Sequence, residues 1–262
     1  MANLQTKRRF EKKHYPKIRR ALRDLLNQAL ELMRRDGKLT DAGLESYLKM
    51  DKVEEAYTNL YRDVYPYFAK WQGKQIARQL KSEFTDWDAM AEEYLYEKFF
   101  NQRILFSVKA TQKKTFMNLY EQIQAEAVEL GYDTERTSRF LNTELKKRGI
   151  EQQLWQSRRI VQTEVFGSSN KAQFDAALSF GVRQVKIWVV SGAGKTQRHA
   201  LTMGADGNPL HNQTRELNEP FTFYSQDGRL VSAMHPMDSS LPPCDSINCQ
   251  CDFLLKVVRD DE

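Results

Sequence analysis

Histidine and cysteine residues are concentrated near the C-terminal end of the sequence. Three of the four histidines and all three cysteines lie between residues 199 and 251: His199, His211, His235, Cys244, Cys249 and Cys251. Imidazole and thiolate groups are the ligands of structural zinc sites, and small loop-rich domains often use a metal in place of a larger core. His199, Cys249 and Cys251 are therefore the first candidates for metal ligands, with zinc as the candidate ion.

The spacing of the cysteines leaves other interpretations open. Only Gln250 separates Cys249 from Cys251, whereas zinc knuckles usually have two residues between their sulfurs. His199 can equally be a hydrogen-bonded structural residue, with the cysteines serving as small buried apolar groups. A catalytic Cys–His pair would use the same residue types, but no distinctive local signature accompanies it.

Other enzymatic signatures are weak. Residues 192–196 read Gly-Ala-Gly-Lys-Thr, but Val189 stands where a phosphate-binding loop needs its first glycine, and no βαβ series surrounds the segment. These residues are interpreted as a turn after a strand. No pair of carboxylates and no Ser/His/Asp arrangement is apparent in the sequence.

The positive charge of the chain is concentrated at its N-terminus. The formal net charge is +5, yet residues 1–23 alone carry +8 and the remaining residues carry −3. Such an arm is attracted to polyanions such as DNA. A solvated, partly frayed terminus and an arm that docks on an acidic protein are the alternatives. The candidate DNA- or partner-binding residues are Lys7, Arg8, Arg9, Lys12, Lys13, Lys17, Arg19, Arg20 and Arg23.

Composition excludes several classes of protein. The 262 residues are 40% hydrophobic and 29% charged, which suits a water-soluble chain with a real core. No run approaches the ~18 apolar residues of a membrane span, and the polar, basic start predicts no secretory signal peptide. Three clustered cysteines exclude a disulfide-built scaffold and suit a reducing cytoplasm.

Residues 17 to about 180 predict one helix after another. Apolar residues recur at the i, i+3, i+4 spacing, and the predicted helices end at Gly37, Gly131, Gly149 and Gly181. Pro66 is predicted to kink or restart its helix. Aromatic residues are dense between Tyr57 and Phe106. Their helical spacing favours a bundle core or a protein interface over a base-stacking surface.

The pattern changes after Gly181. Alternating or β-branched stretches predict strands over 182–190, 220–224 and 251–258, separated by many turn signals. The predicted fold class is a mainly α N-terminal half followed by a small loop-rich α+β C-terminal domain. The predicted domains are 1–130, the basic arm plus a helical region, and 131–262.

A set of residues in the C-terminal half follows a specific order. It comprises Gln162, Thr163, Glu164, Asn170, Gly181, Val182, Trp188, Thr196, Arg198, His199, Gly204, Glu219, Phe221, Pro236 and the terminal Asn248-Cys249-Gln250-Cys251. Over roughly residues 131–257 this order resembles the C-terminal domain of phage head morphogenesis proteins of the Mu F-protein-like type, also called minor head or minor capsid proteins. The chain departs from the family pattern at Gln162, Ser191, Gly192, Met203 and Gln250.

The resemblance implies a virion protein rather than an enzyme. Family members are minor head components associated with the portal vertex, act in head morphogenesis and in DNA packaging or ejection, and are made in the host cytoplasm. The implied partners are the portal protein, other head proteins and packaged double-stranded DNA, with no membrane during assembly. The implied structural motif is Thr163, Glu164, Asn170, Trp188, Arg198, Phe221 and Asn248. The alternative is a metal-dependent hydrolase or a toxin-like effector that carries the same domain.

Overall fold

A computed structural model of the chain describes residues 2–81, 87–100, 103–190 and 198–258. The predicted turn at 192–196 lies outside these residues, as does the side chain of Arg198. Helices dominate the N-terminal half, and strands occur only after residue 183 in the described chain. The predicted fold class, mainly α followed by a small α+β part, is confirmed.

Six helices precede the first strand in the described part of the chain. They are α1 (Ala2–Asp36), α2 (Asp41–Tyr47), α3 (Asp51–Leu80), α4 (Trp87–Phe100), α5 (Arg103–Glu129) and α6 (Thr134–Ser179). The predicted helix ends at Gly37, Gly131 and Gly181 are confirmed, since each glycine has a positive φ just past a helix, where a residue without Cβ is favoured. In the described part of the chain, no helix is both long and apolar enough to cross a membrane.

The structure decides two alternatives, one for the N-terminal segment and one for Pro66. Helix α1 begins at Ala2, so the basic segment is a regular helix and not a frayed terminus. Helix α3 continues through Pro66 without a new start. The restart predicted at Pro66 is therefore wrong, and the kink stays a prediction.

Gly149 does not end a helix, which corrects the prediction. Helix α6 runs through it for 46 residues in all. A Cβ at residue 149 would lie 2.7 Å from Cδ1 of Leu26 on α1. Glycine is favoured at this position because α6 and α1 approach each other closely there. The sequence prediction interpreted this glycine as the end of a helix.

The chain forms two compact units. The first comprises Met1–Glu11, Leu60–Tyr94 and Arg159–Glu262, and the second comprises Lys12–Asn59 and Leu95–Arg158. Each unit therefore combines segments that are distant in sequence, in contrast to the linear division at residue 130 that the sequence suggested. Residues 131–158, placed with the C-terminal domain by prediction, belong to the second unit.

Two small antiparallel sheets lie among the described residues of the first unit. The strands are β1 (Gln184–Val189), β2 (Thr214–Glu216), β3 (Phe221–Tyr224), β4 (Leu230–Ala233) and β5 (Asp252–Val257). One sheet has the order β2-β1-β5, with Trp188 opposite Phe253, and β3 pairs with β4. The three predicted strands are confirmed as β1, β3 and β5, whereas β2 and β4 were not predicted. A short helix, α7 (Pro243–Ser246), precedes β5.

Buried aromatic residues form the core on both the helical and the strand side of the first unit. Tyr61, Tyr65, Phe68 and Tyr94 are buried on the helices, and the rings of Tyr65 and Tyr94 stack at 4.3 Å. The aromatic-rich segment thus supplies core, as its helical spacing indicated. A second cluster comprises Phe166, Trp188, Leu210, Phe221, Phe223, Ala233, Met237, Leu241, Cys249 and Cys251.

Candidate metal centre

The three predicted metal ligands converge in the first unit. His199 lies in a single turn of 3-10 helix, and Cys249 and Cys251 lie just before β5. Their donor atoms all lie within 4.8 Å of one another, and the three residues are only 1%, 5% and 4% exposed. Nδ1 of His199 is 3.3 Å from Sγ of Cys251 and 3.6 Å from Sγ of Cys249. This cluster can hold a metal ion.

The separations between the donor atoms can be compared with those that zinc requires. Zn–N bonds of about 2.0–2.1 Å and Zn–S bonds of about 2.3 Å at a tetrahedral angle place nitrogen and sulfur about 3.6 Å apart. The observed separations of 3.3 and 3.6 Å lie close to that value. Both nitrogen–sulfur separations therefore fit a zinc ion, and the two sulfurs lie within 4.8 Å of each other.

The electrostatics of the cluster favour a thiolate. Hydrogen bonds from Cys251 and His199 lower the pKa of the Cys249 thiol to about 5, although burial opposes this. Burial also works to lower the pKa of His199, but the interactions with Cys249 and Asp245 outweigh it and the pKa is raised. A thiolate is the form of cysteine that binds metals, so Cys249 is prepared for that role.

Sequence reasoning missed a carboxylate on the far side of the histidine ring. Oδ1 of Asp245, on α7, lies 3.4 Å from Nε2 of His199, and Asp245 is 1% exposed. Ser225 donates a hydrogen bond to the other carboxylate oxygen. The two members of this pair are 46 residues apart, and no spacing pattern in the sequence connects them.

The aromatic core holds the histidine from the side. The Trp188 ring meets the His199 ring edge to face at 5.6 Å, and it meets Phe221 in the same manner at 5.2 Å. Phe223 lies edge to face against both Trp188 and His199. These fixed rings leave the imidazole little freedom to turn, which keeps Nδ1 towards the sulfurs.

Helix α6 holds the loop that carries the two cysteines. The backbone N–H of Asn248 donates to Oγ1 of Thr163 at 3.1 Å, and Gln162 donates to the Asn248 carbonyl at 3.0 Å. The Asn170 side chain donates to the carbonyls of Cys251 and Pro236, both at 3.0 Å. One helix therefore anchors the loop both before and after its sulfurs.

Glu164 of the predicted structural motif lies outside this network, and only the backbone of Arg198 is described. Oε2 of Glu164 accepts a hydrogen bond from the Tyr61 hydroxyl at 2.5 Å and so ties α6 to α3. The backbone of Arg198 begins the 3-10 turn that carries His199, while its side chain is outside the described part of the chain. The other five, Thr163, Asn170, Trp188, Phe221 and Asn248, surround the cysteine loop or His199.

His211, His235 and Cys244 are not part of the donor cluster. Nδ1 of His211 accepts a hydrogen bond from the backbone of Val190 at 3.1 Å. His235 is buried with its ring 5.3 Å from that of Phe174. Cys244 is half-buried and lies beside Ser225. Only part of the histidine and cysteine concentration noted in the sequence is therefore a site.

The structure corrects the prediction that Lys7 contacts DNA or a partner. Lys7 is fully buried in the first unit, where Nζ donates to Oδ1 of Asn170 at 2.7 Å and pairs with Oδ2 of Asp252 at 3.0 Å. Its ammonium also lies 5.0 Å from the centre of the Phe166 ring. Burial lowers the pKa of Lys7, and this side chain serves the interior of the protein.

The other basic residues of the N-terminal helix are accessible to differing degrees. Arg8 is partly covered, because it donates to Glu11 at 2.7 Å and to Gln250 at 2.6 Å. Arg19 is half-buried, and the rest are exposed: Arg9, Lys12, Lys13, Lys17, Arg20 and Arg23.

The second unit carries six of these residues on one side of α1. At 3.6 residues per turn, the positions 12, 13, 17, 19, 20 and 23 fall within about 160° of the helix circumference. Lys17 and Arg20 also line a groove of about 240 Å³ together with Lys52 of α3. We call residues Lys12, Lys13, Lys17, Arg19, Arg20 and Arg23 the basic side of α1.

Comparisons of the chain with protein-family models, with curated proteins and with solved structures found no match. The features on which a function can be based are therefore those of the molecule itself. They are the donor cluster of His199, Cys249 and Cys251 with its anchoring network, and the basic side of α1.

Proposed function

We propose that this chain is a bacteriophage minor head protein that associates with the portal vertex and acts in head morphogenesis and in DNA packaging or ejection. The observation that carries the proposal is the convergence of the Mu F-like residues. Thr163 anchors Asn248, Asn170 anchors Cys251, and Trp188 packs on His199, all in the first unit. Residues that jointly hold a loop in place suit a structural module of a particle better than a set of reacting groups.

Exposed apolar side chains of the second unit suit protein partners. Tyr96, Phe106 and Trp155 are 64%, 60% and 53% exposed, and large aromatic residues are enriched in protein interfaces. We assign the contacts with the portal protein and other head proteins to this unit. The proposed location is the phage head, with the host cytoplasm before assembly and no membrane at that stage.

Quantitative mass spectrometry of purified phage particles and procapsids tests the proposed role. A minor head protein is expected at a few to a few tens of copies per particle in both samples. Absence from both, with free protein in the lysate, would overturn the proposal. A matched infection with a phage that lacks the coding sequence gives the background for each sample.

The basic side of α1 is the proposed contact with packaged double-stranded DNA. Lys17, Arg20 and Arg23 have no carboxylate within ion-pair distance in the described residues, so their charges are available to phosphates. The logarithm of the binding constant for DNA falls with the logarithm of the salt concentration. Replacing all three residues with glutamine is expected to make this fall less steep, reducing the magnitude of the slope by roughly 2.7, at about 0.9 per phosphate contact.

A second triple variant controls for net charge in that experiment. Lys114, Lys146 and Lys147 are exposed elsewhere in the second unit, and their replacement with glutamine removes the same charge. We expect this variant to keep the slope of the unmodified protein. Equal slopes for all three proteins would remove DNA contact by α1 from the proposal.

Zinc is the proposed ion of the donor cluster. It would be held by His199, Cys249 and Cys251, and it would link the 3-10 turn to the loop before β5, two segments with little regular structure. Elemental analysis of the purified full chain is expected to give about one zinc per molecule. Cys249→Ser should lose this zinc, whereas Cys244→Ser should retain it because Cys244 lies outside the cluster.

One observation favours the hydrolase alternative. Three protein ligands leave a fourth position for water, as catalytic zinc sites do. The near-complete burial of all three donors is more typical of a structural site, which is why the structural role is preferred. Hydrolytic turnover by the zinc-loaded protein that is lost in His199→Ala would support the alternative, and normal phage viability with His199→Ala would oppose it.

A further inference from the structure

The carboxylate of Asp245 is buried and needs a partner. Asp245 is 1% exposed, and His199 is its only basic neighbour within 4.0 Å among the described residues. Burial of a carboxylate without hydrogen bonds costs free energy, so Asp245 is stabilised by a hydrogen bond from the ring N–H of His199. The arrangement restricts what the histidine can do at its other nitrogen.

The position of Asp245 selects the tautomer of His199. The carboxylate accepts the proton on Nε2 across 3.4 Å, which leaves the lone pair on Nδ1. Nδ1 is also the nitrogen that faces the sulfurs of Cys251 and Cys249, at 3.3 and 3.6 Å. Histidine ligands commonly donate their second ring N–H to a carboxylate, which fixes the ring and makes the ligating nitrogen more basic.

Asp245 is itself restrained on both sides. Ser225, which directly follows β3, donates a hydrogen bond to Oδ2. The backbone N–H of Asp245 donates to the carbonyl of Pro242 at 3.0 Å in the short helix α7. With one oxygen held by the serine, the other remains directed at Nε2 of His199.

We infer that Asp245, held by Ser225, is a positioning residue that fixes His199 for metal binding. The inference rests on the zinc proposed above and extends it to two residues that carry no metal contact themselves. A chain of hydrogen bonds thus runs from the end of β3 through α7 to the 3-10 turn. Loss of Asp245 leaves the three ligands in the chain but removes the acceptor at Nε2, so the histidine is free to change tautomer.

Metal affinity of Asp245→Asn is the primary test. Competition between the purified full-length protein and a chelator gives the Kd for zinc alone. We expect Asp245→Asn to bind zinc 10- to 100-fold more weakly than the unmodified protein, as for other carboxylates that support a histidine ligand. Asp206→Asn is the matched control, since Asp206 lies in the same unit but pairs with Arg215, and it should stay within about twofold.

Cobalt spectra separate positioning from a general loss of structure. With Co²⁺ in place of zinc, the thiolate-to-cobalt absorption should persist in Asp245→Asn, because both sulfurs remain. The visible d–d bands should shift, because the histidine nitrogen is no longer held. If Asp245→Asn does not fold, Ser225→Ala carries the test, with an expected loss of zinc affinity of a few fold and a smaller shift of the same bands.

The outcomes distinguish this inference from the proposed zinc site. Failure of the unmodified protein to bind either ion overturns the zinc site and the positioning role with it. Zinc binding by the unmodified protein together with an unchanged Kd and spectrum in Asp245→Asn, or in Ser225→Ala where that variant is used, overturns the positioning role alone.

Discussion

The two compact units bury very different groups. In the first, charged or titratable side chains lie in the interior: Lys7, Lys186, His199, His235 and Asp245. Among the described residues of the second unit, no lysine, arginine, aspartate or glutamate is buried, and His14 is the one buried histidine. Its interior is lined by the apolar faces of helices and contains a buried hydrogen bond between Gln112 and Gln156. Its described lysine and arginine side chains are not buried.

The difference follows from the secondary structure available to each unit. Long helices satisfy their own backbone groups and need only an apolar side to pack, which suits the second unit. The loops and short strands of the first unit leave backbone groups that side chains such as Asn170 and Lys186 must satisfy. Single substitutions of buried polar residues should therefore cost much more in the first unit than charge changes cost in the second.

The largest effect is expected from the donor cluster. Cys249→Ser should lower the free energy of unfolding by roughly 4 kcal/mol or more, since it removes a proposed metal ligand and leaves a hydroxyl in an apolar interior. Cys244→Ser, at a half-buried site outside the cluster, should cost about 1 kcal/mol or less. Chemical denaturation of both variants, with and without a chelator, measures the difference. Similar losses for the two variants would show that the donors are ordinary buried thiols.

The next effect compares two lysines on the same helix. Lys7→Met should lower stability by about 2–3 kcal/mol, because Asn170 and the partly exposed Asp252 lose their ammonium partner. Lys17→Met removes the same charge from an exposed position and should change stability by less than about 0.5 kcal/mol. Urea unfolding at neutral pH gives both values. A Lys7 variant as stable as the Lys17 variant would contradict the contrast between the units.

Much of this organisation was predictable because its signal is local. Helical periodicity identified the helices, since each one must show an apolar side to its neighbours. The alternation over residues 182–190 identified β1, because its side chains face two different environments. His199, Cys249 and Cys251 were chosen as candidates from residue type, because imidazole and thiolate groups are the ligands of structural zinc sites.

Other features depend on contacts between distant residues and could not be predicted. Lys7 has the same sequence character as its basic neighbours, and only its pairing with Asp252, far along the chain, makes it an interior residue. Asp245 resembles any acidic residue in a turn until His199 is placed beside it. Gly149 was read as a helix end, because a glycine that permits close packing looks the same in sequence as one that stops a helix.

A pH-dependent effect should follow from the second buried lysine of the first unit. Lys186 donates to the Leu217 carbonyl between the rings of Phe174 and Phe221, and burial lowers its pKa to about 8, opposed by Asp238 and Glu219. Between about pH 8 and the unfolded pKa of 10.5, the unfolded chain binds more protons at this residue, so stability rises with pH.

Comparison with Lys186→Met isolates that contribution. Over pH 8 to 10.5 the unmodified protein should gain about 1–3 kcal/mol relative to the variant, because all other titrating groups are shared. Denaturant unfolding at several pH values gives the difference directly. A difference that stays constant over this range would mean that Lys186 keeps an ordinary pKa in the folded protein.

The smallest effects compare two glycines of one helix, α6, which lie in different units. Gly149→Ala places a Cβ 2.7 Å from Leu26 Cδ1 in the second unit, and it should cost about 1–2 kcal/mol because that packed leucine must shift. A Cβ at Gly167, in the first unit, would meet only Cε of Met237 at 4.0 Å. Gly167→Ala should therefore stabilise the protein by up to about 1 kcal/mol, through the higher helix propensity of alanine. Opposite signs in thermal unfolding would show that packing, and not polarity, makes the second unit sensitive to substitution, whereas stabilisation by both changes would show that Leu26 moves aside freely.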